Sequence, residues 1–502
     1  MSLTDIGFAR RLINDCEAPL ADQEVCDMID KVIDQTLGPE GLNNLIRRSD
    51  RVTIKVNIVG PHQGARGEKG FAIITDPRVV RYVAEKVRKI IGPRGVLKVA
   101  GTTHYFDSNP SLKRKPVSFY WAKLGRSGND SIDPCVDVCY DGNADGILDG
   151  TSEAELVNLD SIGESGRFLT TVQLYNEASV TLAFPKFLRT RKEALIAGEP
   201  NEYTDVFIGL PIFKTHGIQG MTGAIKLHYG IRNLRGVFSD TGRIGHNGVF
   251  FDENGVHKRQ NLNDYLCAQH MVRTYDYIIM DALTLNLEGP TTPREGSLNL
   301  DTNDEKVNYI LTNAMMASRD SVAIDVVATN LMAFDLKSIP YLRDAAENRI
   351  GQYNAGYIRI HGDKDFYKLR QHLWERYHPK FPPPERVGAK QLTWEQIAPA
   401  FNVILERPEK IGTYLYRLRY KVVLPTGNTN TKIVRVELVV LSQYIIAEQT
   451  GDNLVQGELI IDYNQPEFCH LRDTALPIMG RAWDQYFNCL EGATPYPAFL
   501  FN

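Results

Sequence analysis

The sequence predicts an α/β fold, in which a mainly parallel sheet is covered by helices and is followed by a small strand-rich C-terminal accessory domain. Three observations support this class. A strand, a helix and a second strand follow one another near the N-terminus, further apolar runs continue the alternation, and a proline-rich stretch at 376–388 separates them from a second group of strand-like runs. Alternating strands and helices are typical of parallel sheets, because each crossover helix brings the chain back to the end of the sheet at which the preceding strand began.

The first predicted element is a strand over 51–60, RVTIKVNIVG, a β-branched run that ends in glycine. A helix follows in TDPRVVRYVAEKVRKIIG, where Asp76 fits the N-cap, Pro77 fits the first helical position and Gly92 fits the position just past the end. The apolar residues of this helix fall on one face. A second strand over 95–103 completes a βαβ unit.

The rest of the core domain is predicted to contain four strands and one helix. Residues 105–155 are polar and rich in Gly, Asp and Ser, so we interpret them as an insertion. The strands are predicted at 178–184, 204–213, 275–283 and 355–362, and the helix at 318–334. The core domain thus extends over 1–375, and a semi-rigid linker follows at 376–388.

An accessory α+β domain is predicted over 389–502. Two strand-like runs, YLYRLRYKVVL and KIVRVELVVL, flank PTGNTNT, which is typical of a hairpin turn. GELIIDY at 457–463 is predicted as a third strand, and the tail TALPIMGRAWDQYFNCL is predicted to be helical. This region shows no catalytic motif.

Composition argues against several classes of protein. A net charge of −4 without a clustered basic face argues against a nucleic-acid partner, and no apolar stretch is long enough to span a bilayer. The N-terminus lacks the pattern of a signal peptide. The seven cysteines are scattered and odd in number, which indicates free thiols, so we expect a cytoplasmic protein. Because no Cys-x-x-Cys-x-x-Cys run occurs, we expect no cysteine-ligated iron–sulfur cluster.

The segment KTHGIQGMTGAIKLHYG at 214–230 is the main candidate for a binding site. It follows an apolar strand, and ligands in open α/β sheets bind beyond the carboxyl ends of the strands. Its glycines let backbone N–H groups approach an anion, and the start of a following helix would add its positive end. The substrate-binding candidates within it are Lys214, Gly220, Thr222 and Gly223.

Three residues are candidates for catalysis. Histidine is the side chain that titrates near neutral pH, so His216 would move a proton, and Lys226 would hold negative charge as it develops. Asp325 shares one helical stripe with Ser321 and Thr329, because the three lie four residues apart. This acid could pair with Lys226 or His216 across a cleft, or it could face water. The alternative for the glycine-rich segment is a loop whose glycines only permit tight turns and whose lysines are solvated.

Four further substrate-binding candidates lie near the ends of predicted strands. Lys55 and Asn57 lie near the end of the first strand. His104 follows the second strand, and Asp281 ends a later one. In open α/β sheets, ligands bind just beyond the carboxyl ends of the strands. Three of the residues have an alternative: Lys55 on an edge strand, Asn57 in a turn, and Asp281 as a helix cap or turn residue.

A separate motif, DGNADGILDG at 141–150, matches the spacing of a calcium-binding loop. The metal-ligand candidates are Asp141, Asn143, Asp145, Ile147 through its carbonyl group, and Asp149. The last ligand position of such a loop is Ser152 here, so the usual bidentate carboxylate is displaced or missing. Calcium would order the insertion and play no part in catalysis. The alternative is a turn rich in Asp, Asn and Gly that holds no ion.

Seven segments occur in an order that resembles one family: VTIKVNIVG, AIITDPRVV, LKVAGTT, PIFKTHGIQGMTGAIK, MDALTLNLEGP, ASRDSVAIDVVATNLMAFD and AGYIRIHG. This succession, over about 40–362, is similar to the uncharacterised family domain of unknown function three-six-two. The resemblance includes the stripe that contains Asp325. The chain departs from the family in two ways: it lacks ferredoxin-like cysteine motifs, and Leu227 and His228 follow Lys226 where asparagine is usual.

A shorter stretch, from His216 to Lys226, is also similar to a segment of the lactate racemase family, whose members hold a nickel pincer cofactor. The residues together predict an enzyme of unknown reaction that acts on a small anionic or carbonyl-bearing molecule. A catalytic metal ion is an open option, with His216 and the acids as ligands. The alternative is a non-catalytic binding or scaffold protein stabilised by calcium. The oligomeric state does not follow from the sequence.

Overall fold

The structure is a computed structural model. It describes residues 3–12, 19–57, 66–67, 70–71, 74–101, 147–148, 150–151, 153–159, 162–216, 219–231, 249–251, 257–259, 262–286, 309–377, 389–397, 401–425, 431–440, 444–471 and 478–493. The chain divides into two compact units. The core unit comprises Thr4–Tyr353 and Ile360–Gln391, and the C-terminal unit comprises Leu392–Asn502 with the segments Met1–Leu3 and Asn354–Arg359.

The strands from the N-terminus to the end of the core sheet are short to medium in length. They are β1 (Thr4–Arg10), β2 (Arg51–Val56), β3 (Arg66–Gly67), β4 (Gly70–Phe71), β5 (Val96–Gly101), β6 (Ala154–Asn158), β7 (Arg167–Gln173), β8 (Ser179–Pro185), β9 (Val206–Leu210), β10 (Ile212–His216), β11 (Gly220–Thr222), β12 (Val249–Phe251), β13 (His257–Arg259), β14 (Tyr277–Asn286), β15 (Tyr309–Ser318) and β16 (Ile358–His361).

The helices of the core unit include the one predicted after the first strand. They are α1 (Asp22–Leu37), α2 (Pro77–Ile91), α3 (Arg191–Ile196), α4 (Ala224–Leu227), α5 (Leu262–Val272), α6 (Ser321–Leu331), α7 (Pro340–Glu347) and α8 (Asp363–Tyr377). The caps of α2 confirm the sequence prediction. The Asp76 side chain accepts a hydrogen bond from the backbone N–H of Arg78, and Gly92 ends the helix with φ of 66°.

Within the described residues, the core unit is built on one ten-stranded sheet in the order β16-β1-β15-β14-β9-β2-β5-β6, with β10 and β11 attached beside β14. The strands β14, β9, β2, β5 and β6 run parallel to their neighbours in this series. β15 is antiparallel to both of its neighbours, β14 and β1. The sheet is therefore mixed but mostly parallel, which confirms the predicted α/β class.

The two faces of the sheet are covered by different helices. Ile54 and Val56 of β2 belong to one apolar core with Val32 of α1 and Val83 of α2. Because side chains alternate along a strand, Lys55 points to the opposite face. On that side α4, α6 and α8 contact β9, β15 and β1. The segment predicted to bind a ligand is part of this second layer.

The core unit differs from the sequence prediction in several places. β1 and α1 precede the first predicted strand, and β15 was also missed. The run 204–213 forms two strands, β9 and β10, because Pro211 has no N–H to continue the ladder. The run 178–184 forms β8, which pairs with β7 in a separate hairpin and does not join the large sheet. Its alternating exposed and buried residues are typical of a hairpin with one solvated face.

The C-terminal unit is strand-rich, as the sequence predicts. It contains α9 (Trp394–Ile397), β17 (Asn402–Leu405), β18 (Glu409–Gly412), β19 (Leu415–Val423), β20 (Ile433–Val440), β21 (Tyr444–Thr450), β22 (Gln456–Asp462), β23 (Ile478–Asp484) and β24 (Cys489–Ala493). In the described part of the unit, these strands form two four-stranded antiparallel sheets, one around β19 and one in the order β21-β20-β23-β24. Leu418 of β19 and Leu438 of β20 belong to one apolar core.

The predicted C-terminal helix is wrong. The tail forms β23 and β24, which pair antiparallel. The residues Ile478, Gly480 and Ala482 alternate with less buried positions, so the apolar pattern repeats every two residues. None of the helices that the structure describes combines the length and apolar character needed to cross a membrane.

Candidate functional site

The glycine- and lysine-rich segment is a buried β-hairpin followed by a short helix. β10 and β11 pair antiparallel, with Lys214 opposite Thr222 and His216 opposite Gly220. Lys214 and His216 are completely buried, and Lys226 of α4 keeps only 9% of its surface exposed. The alternative of an open loop with solvated lysines is therefore wrong. Because residues two apart on a strand share a face, Lys214 and His216 project to the same side of the hairpin.

Two glycines of the segment are required by their surroundings. Gly220 has φ of +86°, which residues with a side chain rarely adopt, and a Cβ there would lie 2.4 Å from Cδ1 of Ile339. A Cβ on Gly223 would lie 2.1 Å from Oδ1 of Asp325. The sequence predicts that these glycines admit an anion to the backbone, and the anionic group next to Gly223 is the protein's own carboxylate.

Asp325 holds the turn between β11 and α4. Its carboxylate accepts hydrogen bonds from the backbone N–H of Ala224 at 2.6 Å and of Ile225 at 3.0 Å, and the hydroxyl of Tyr341 lies 3.4 Å away. Burial raises the pKa of Asp325 to about 7, against the lowering effect of these N–H donors. Asp325 neither faces water nor pairs with a lysine or histidine among the described residues. The first N–H groups of α4 are thus occupied by an internal acid.

Lys214 and Lys226 place two amino groups in the interior. Burial lowers the pKa of Lys226 to about 7. Burial also lowers the pKa of Lys214 well below its ordinary value, and the charge of Lys226 lowers it further, so the two groups lie within electrostatic reach of each other. Within the described part of the chain, Lys226 makes no hydrogen bond or ion pair, and its Nζ lies 5.0 Å from the ring centroid of Tyr229.

The hydrogen bond made by His216 fixes its tautomer. The backbone N–H of Gln219 donates to Nδ1 of His216 at 3.2 Å. Nδ1 therefore carries a lone pair, and the proton of the neutral ring is on Nε2. In this state His216 can donate a proton or hydrogen bond from Nε2. It becomes a base only after that proton has left.

Lys55 and Asn57 lie at the carboxyl end of β2, as the sequence predicts. Nζ of Lys55 donates to the carbonyl oxygen of Val56 at 2.7 Å, and the side chain is 2% exposed. Lys55 lies on a strand between two neighbours, β9 and β5, so the edge-strand alternative is wrong. The backbone N–H of Asn57 donates to Oγ1 of Thr75 at 3.0 Å. This bond ties the end of β2 to the segment before α2.

Asp281 lies with the helix layer of α1 and α2. Its carboxylate accepts hydrogen bonds from the backbone N–H of Asp76 at 2.7 Å and of Leu283 at 3.1 Å. Burial raises the pKa of Asp281 to about 7, and the neighbouring Asp76 carboxylate acts in the same direction. Arg78 pairs with Asp76 at 2.7 Å. Asp281 thus holds the N-cap residue of α2 in place, and no described contact joins it to Lys214 or to the catalytic candidates.

Sequence reasoning missed a second buried polar cluster on the side of Lys55. His228, which follows α4, and His270 of α5 lie with ring centroids 3.6 Å apart, and Tyr275 lies 4.2 Å from the His228 ring. Nε2 of His228 donates to the carbonyl oxygen of Arg273 at 2.6 Å. Nδ1 of His228, Nε2 of His270 and the Tyr275 hydroxyl have no hydrogen-bond partner among the described residues. The only signal in the sequence is a histidine within the mostly apolar helix α5.

The histidine pair makes stability sensitive to acid. Burial lowers the pKa of His270 to about 3, and it lowers the pKa of His228 well below its ordinary value, with His270 and Lys55 adding to the effect. Between about pH 6.5 and pH 3 the unfolded chain therefore binds protons that the folded chain does not, so stability falls as the pH falls. Relative to His270→Gln, we expect the wild-type unfolding temperature to drop by about 1 to 2 °C per pH unit in this range. Parallel pH curves for the two proteins, in calorimetric scans, would contradict this assignment.

Several predicted residues lie outside the described part of the chain: His104, Asp141, Asn143, Asp145 and Asp149. Ile147 is described, and it forms an isolated antiparallel bridge with Glu155. Among the described residues, no group of three or more His, Cys, Asp or Glu side chains is placed to hold a metal ion. Asp325 and Asp281, the acids of the predicted site, accept hydrogen bonds from backbone N–H groups.

One comparison with known proteins gives a match. Residues 149–330 match the family model described as Domain of unknown function (DUF362). This region contains β6 to β11, α3 to α5, β14, β15 and nearly all of α6, and thus the hairpin, Lys226 and Asp325. No curated protein matches the chain. The similarity to lactate racemases has no support in these comparisons. The match is shorter than the predicted range of about 40–362, and it shows that residues 149–330 are similar to the family Domain of unknown function (DUF362).

Proposed function

We propose that the protein is an enzyme that acts on a small molecule carrying a carboxylate and a carbonyl group, bound beside the β10–β11 hairpin. The observation that carries this proposal is Lys226, a nearly buried amine with no acidic partner among the described residues. A buried ammonium without a counter-ion costs several kcal/mol, so a protein that keeps one has a use for the charge or for the amine.

The nearby buried acid does not neutralise this site. Asp325 accepts hydrogen bonds from two backbone N–H groups, and burial raises its pKa to about 7, so its negative charge is incomplete at neutral pH. Lys226, which has no acidic partner among the described residues, therefore favours an anion that a ligand supplies. A carboxylate would raise the pKa of both amines on binding, because an opposite charge stabilises the protonated form.

Thr222 provides an independent indication of a ligand. Its side chain is 3% exposed, and Oγ1 has no hydrogen-bond partner among the described residues. A buried hydroxyl without a partner costs about 1 to 3 kcal/mol. Thr222 lies directly opposite Lys214 across the hairpin, so a carboxylate at this position would accept hydrogen bonds from both side chains.

The amine of Lys226 and the imidazole of His216 would carry out the catalytic proton transfers. A group that titrates near the working pH can give and take a proton during a reaction, and burial places the pKa of Lys226 at about 7. His216 carries its proton on Nε2 and would donate it to a substrate oxygen on which negative charge develops. The chemistry assigned here is proton transfer at a carbonyl compound.

Ligand binding tests the first half of the proposal. We expect pyruvate and acetate to raise the unfolding temperature of the protein, whereas acetone and matched sodium chloride do not. Thr222→Val keeps the shape of the side chain and removes the unpaired hydroxyl, so it should leave the ligand-free protein as stable as wild type or more stable. It should also weaken carboxylate binding about 3- to 10-fold. Equal responses to carboxylates and chloride would contradict the proposal.

Turnover tests the second half. In D2O, the enzyme should exchange the hydrogens next to the carbonyl group of pyruvate for deuterium, as followed by mass spectrometry. We expect His216→Gln to slow this exchange about 100-fold or more while the fold survives, because general acid–base catalysis contributes that much. Carboxylate binding without any exchange, for a panel of 2-oxo acids, would identify a binding protein instead of an enzyme.

A further inference from the structure

The three buried lysines of this layer differ in accessibility. Lys55 is 2% exposed and donates from Nζ to a backbone carbonyl oxygen, and Lys214 is completely buried. Lys226 keeps 9% of its surface exposed, and it has no hydrogen-bond or ion-pair partner in the part of the chain that the structure describes. Of the three, Lys226 is therefore the amine that a small molecule can reach without displacing an existing hydrogen bond.

The surroundings of Lys226 favour a neutral amine. Burial lowers its pKa to about 7, so a large share of the amine is unprotonated at neutral pH, whereas an ordinary lysine is almost fully protonated. Only the unprotonated amine has a lone pair with which to attack a carbon atom. Desolvation is one of the features that activate lysines as nucleophiles, and it is the cause of the lowered pKa of Lys226.

We propose that Lys226 is a catalytic residue that forms an imine with the carbonyl group of the substrate, an inference that rests on the proposed function. The Nζ lone pair attacks the carbonyl carbon, a C–N bond forms, and the π bond of the C=O group breaks. The resulting carbinolamine loses its oxygen as water together with two hydrogens that the amine supplied, which leaves a C=N bond. No atom changes its oxidation level, so the step needs no oxidant or reductant.

The hairpin indicates the class of substrate. Lys214 and Thr222 lie opposite each other, and Lys226 lies within electrostatic reach of Lys214. If Lys214 and Thr222 bind the carboxylate, a carbonyl carbon next to it would lie within reach of Lys226. This arrangement suits 2-oxo acids, in which the two groups are directly bonded. After protonation, the imine nitrogen would draw electrons from the neighbouring carbon and make its hydrogens acidic.

Reductive trapping tests the imine directly. The full-length protein is incubated with pyruvate or glyoxylate, reduced with sodium borohydride, digested and mapped by mass spectrometry. Hydride adds to the imine carbon and a proton from water adds to nitrogen, so the modified peptide gains the mass of the oxo acid, less one water, plus two hydrogens. We expect this adduct at Lys226, at more than about ten times its level on the exposed Lys89.

Two variants separate the imine from simple anion binding. Lys226→Met removes the amine, and Lys226→Arg keeps the positive charge but cannot form the imine. Loss of the adduct in both variants, with pyruvate-induced stabilisation retained in Lys226→Arg, supports both proposals. Stabilisation of the wild type by pyruvate without an adduct at Lys226 overturns the imine and leaves the proposed function standing. If pyruvate produces neither stabilisation nor an adduct, both proposals are overturned. Equal labelling of Lys226 and Lys89 overturns the imine.

Discussion

Lys226→Met is expected to stabilise the core unit by about 2 to 4 kcal/mol while it weakens the response to carboxylates. Methionine fills a similar volume and removes a desolvated amine that has no acidic partner in the described structure. The gain should be visible as a higher unfolding temperature in scanning calorimetry. A single substitution that raises stability and weakens binding would identify Lys226 as a residue that reduces stability and serves function.

The pH dependence of the stability gain in Lys226→Met tests whether the gain comes from the buried amine. The pKa of Lys226 falls from 10.5 to about 7 on folding, so between these values the unfolded chain holds a proton that the folded chain has lost. Wild-type stability therefore rises with pH in this range, and the advantage of Lys226→Met should be largest below pH 7 and should shrink towards pH 10.5. Lys89→Met, at an exposed position of α2, should show neither effect. A destabilised Lys226→Met protein would contradict the account.

Gly223→Ala is expected to destabilise the core unit by about 3 kcal/mol or more and to abolish ligand binding. The added Cβ would lie 2.1 Å from Oδ1 of Asp325. Backbone conformation is not the cause, because Gly223 has φ of −145°, which any residue can adopt. The clash would push the carboxylate away from the N–H groups of Ala224 and Ile225 and would disturb the turn that carries Lys226.

A matched glycine and a double variant test this cause. Gly163→Ala meets no atom within 4 Å and should change the unfolding temperature little. Asp325→Ala should itself be destabilising, since it leaves two buried N–H groups without an acceptor. The double variant Gly223→Ala/Asp325→Ala should then be about as unstable as Asp325→Ala alone, because the clash is gone. Additive losses would show that Gly223 and Asp325 act separately.

Elements that are stabilised by residues close together in the sequence could be predicted from the sequence. The helix α2 begins after Asp76 and ends at Gly92 because capping involves atoms within one or two turns. The valines of α2 are buried as their spacing predicts. β1 and β15 were missed, because a strand inside a mixed sheet is identified by its partners and not by its own composition.

The candidate site could be predicted only in part. The sequence indicates Lys214, His216, Thr222 and Lys226 because they cluster in one segment, and the structure buries them in one hairpin and its following helix. The sequence could not show that Asp281 contacts the start of α2 whereas Asp325 contacts the start of α4. The position of each carboxylate depends on strand register and helix packing. The sequence also could not bring His228 and His270 together, because the two residues lie in separate elements.

The most direct test is a measurement of the ionisation of Lys226. Lysine labelled with carbon-13 at Cε is introduced into the perdeuterated protein, the Lys226 resonance is assigned by its absence in Lys226→Met, and its chemical shift is followed from pH 5 to 11. We expect a pKa near 7 in the free protein and a higher value when acetate is bound. A pKa near that of a solvated lysine in the free protein, unchanged by acetate, would contradict the central claim that Lys226 is a buried amine awaiting an anionic ligand.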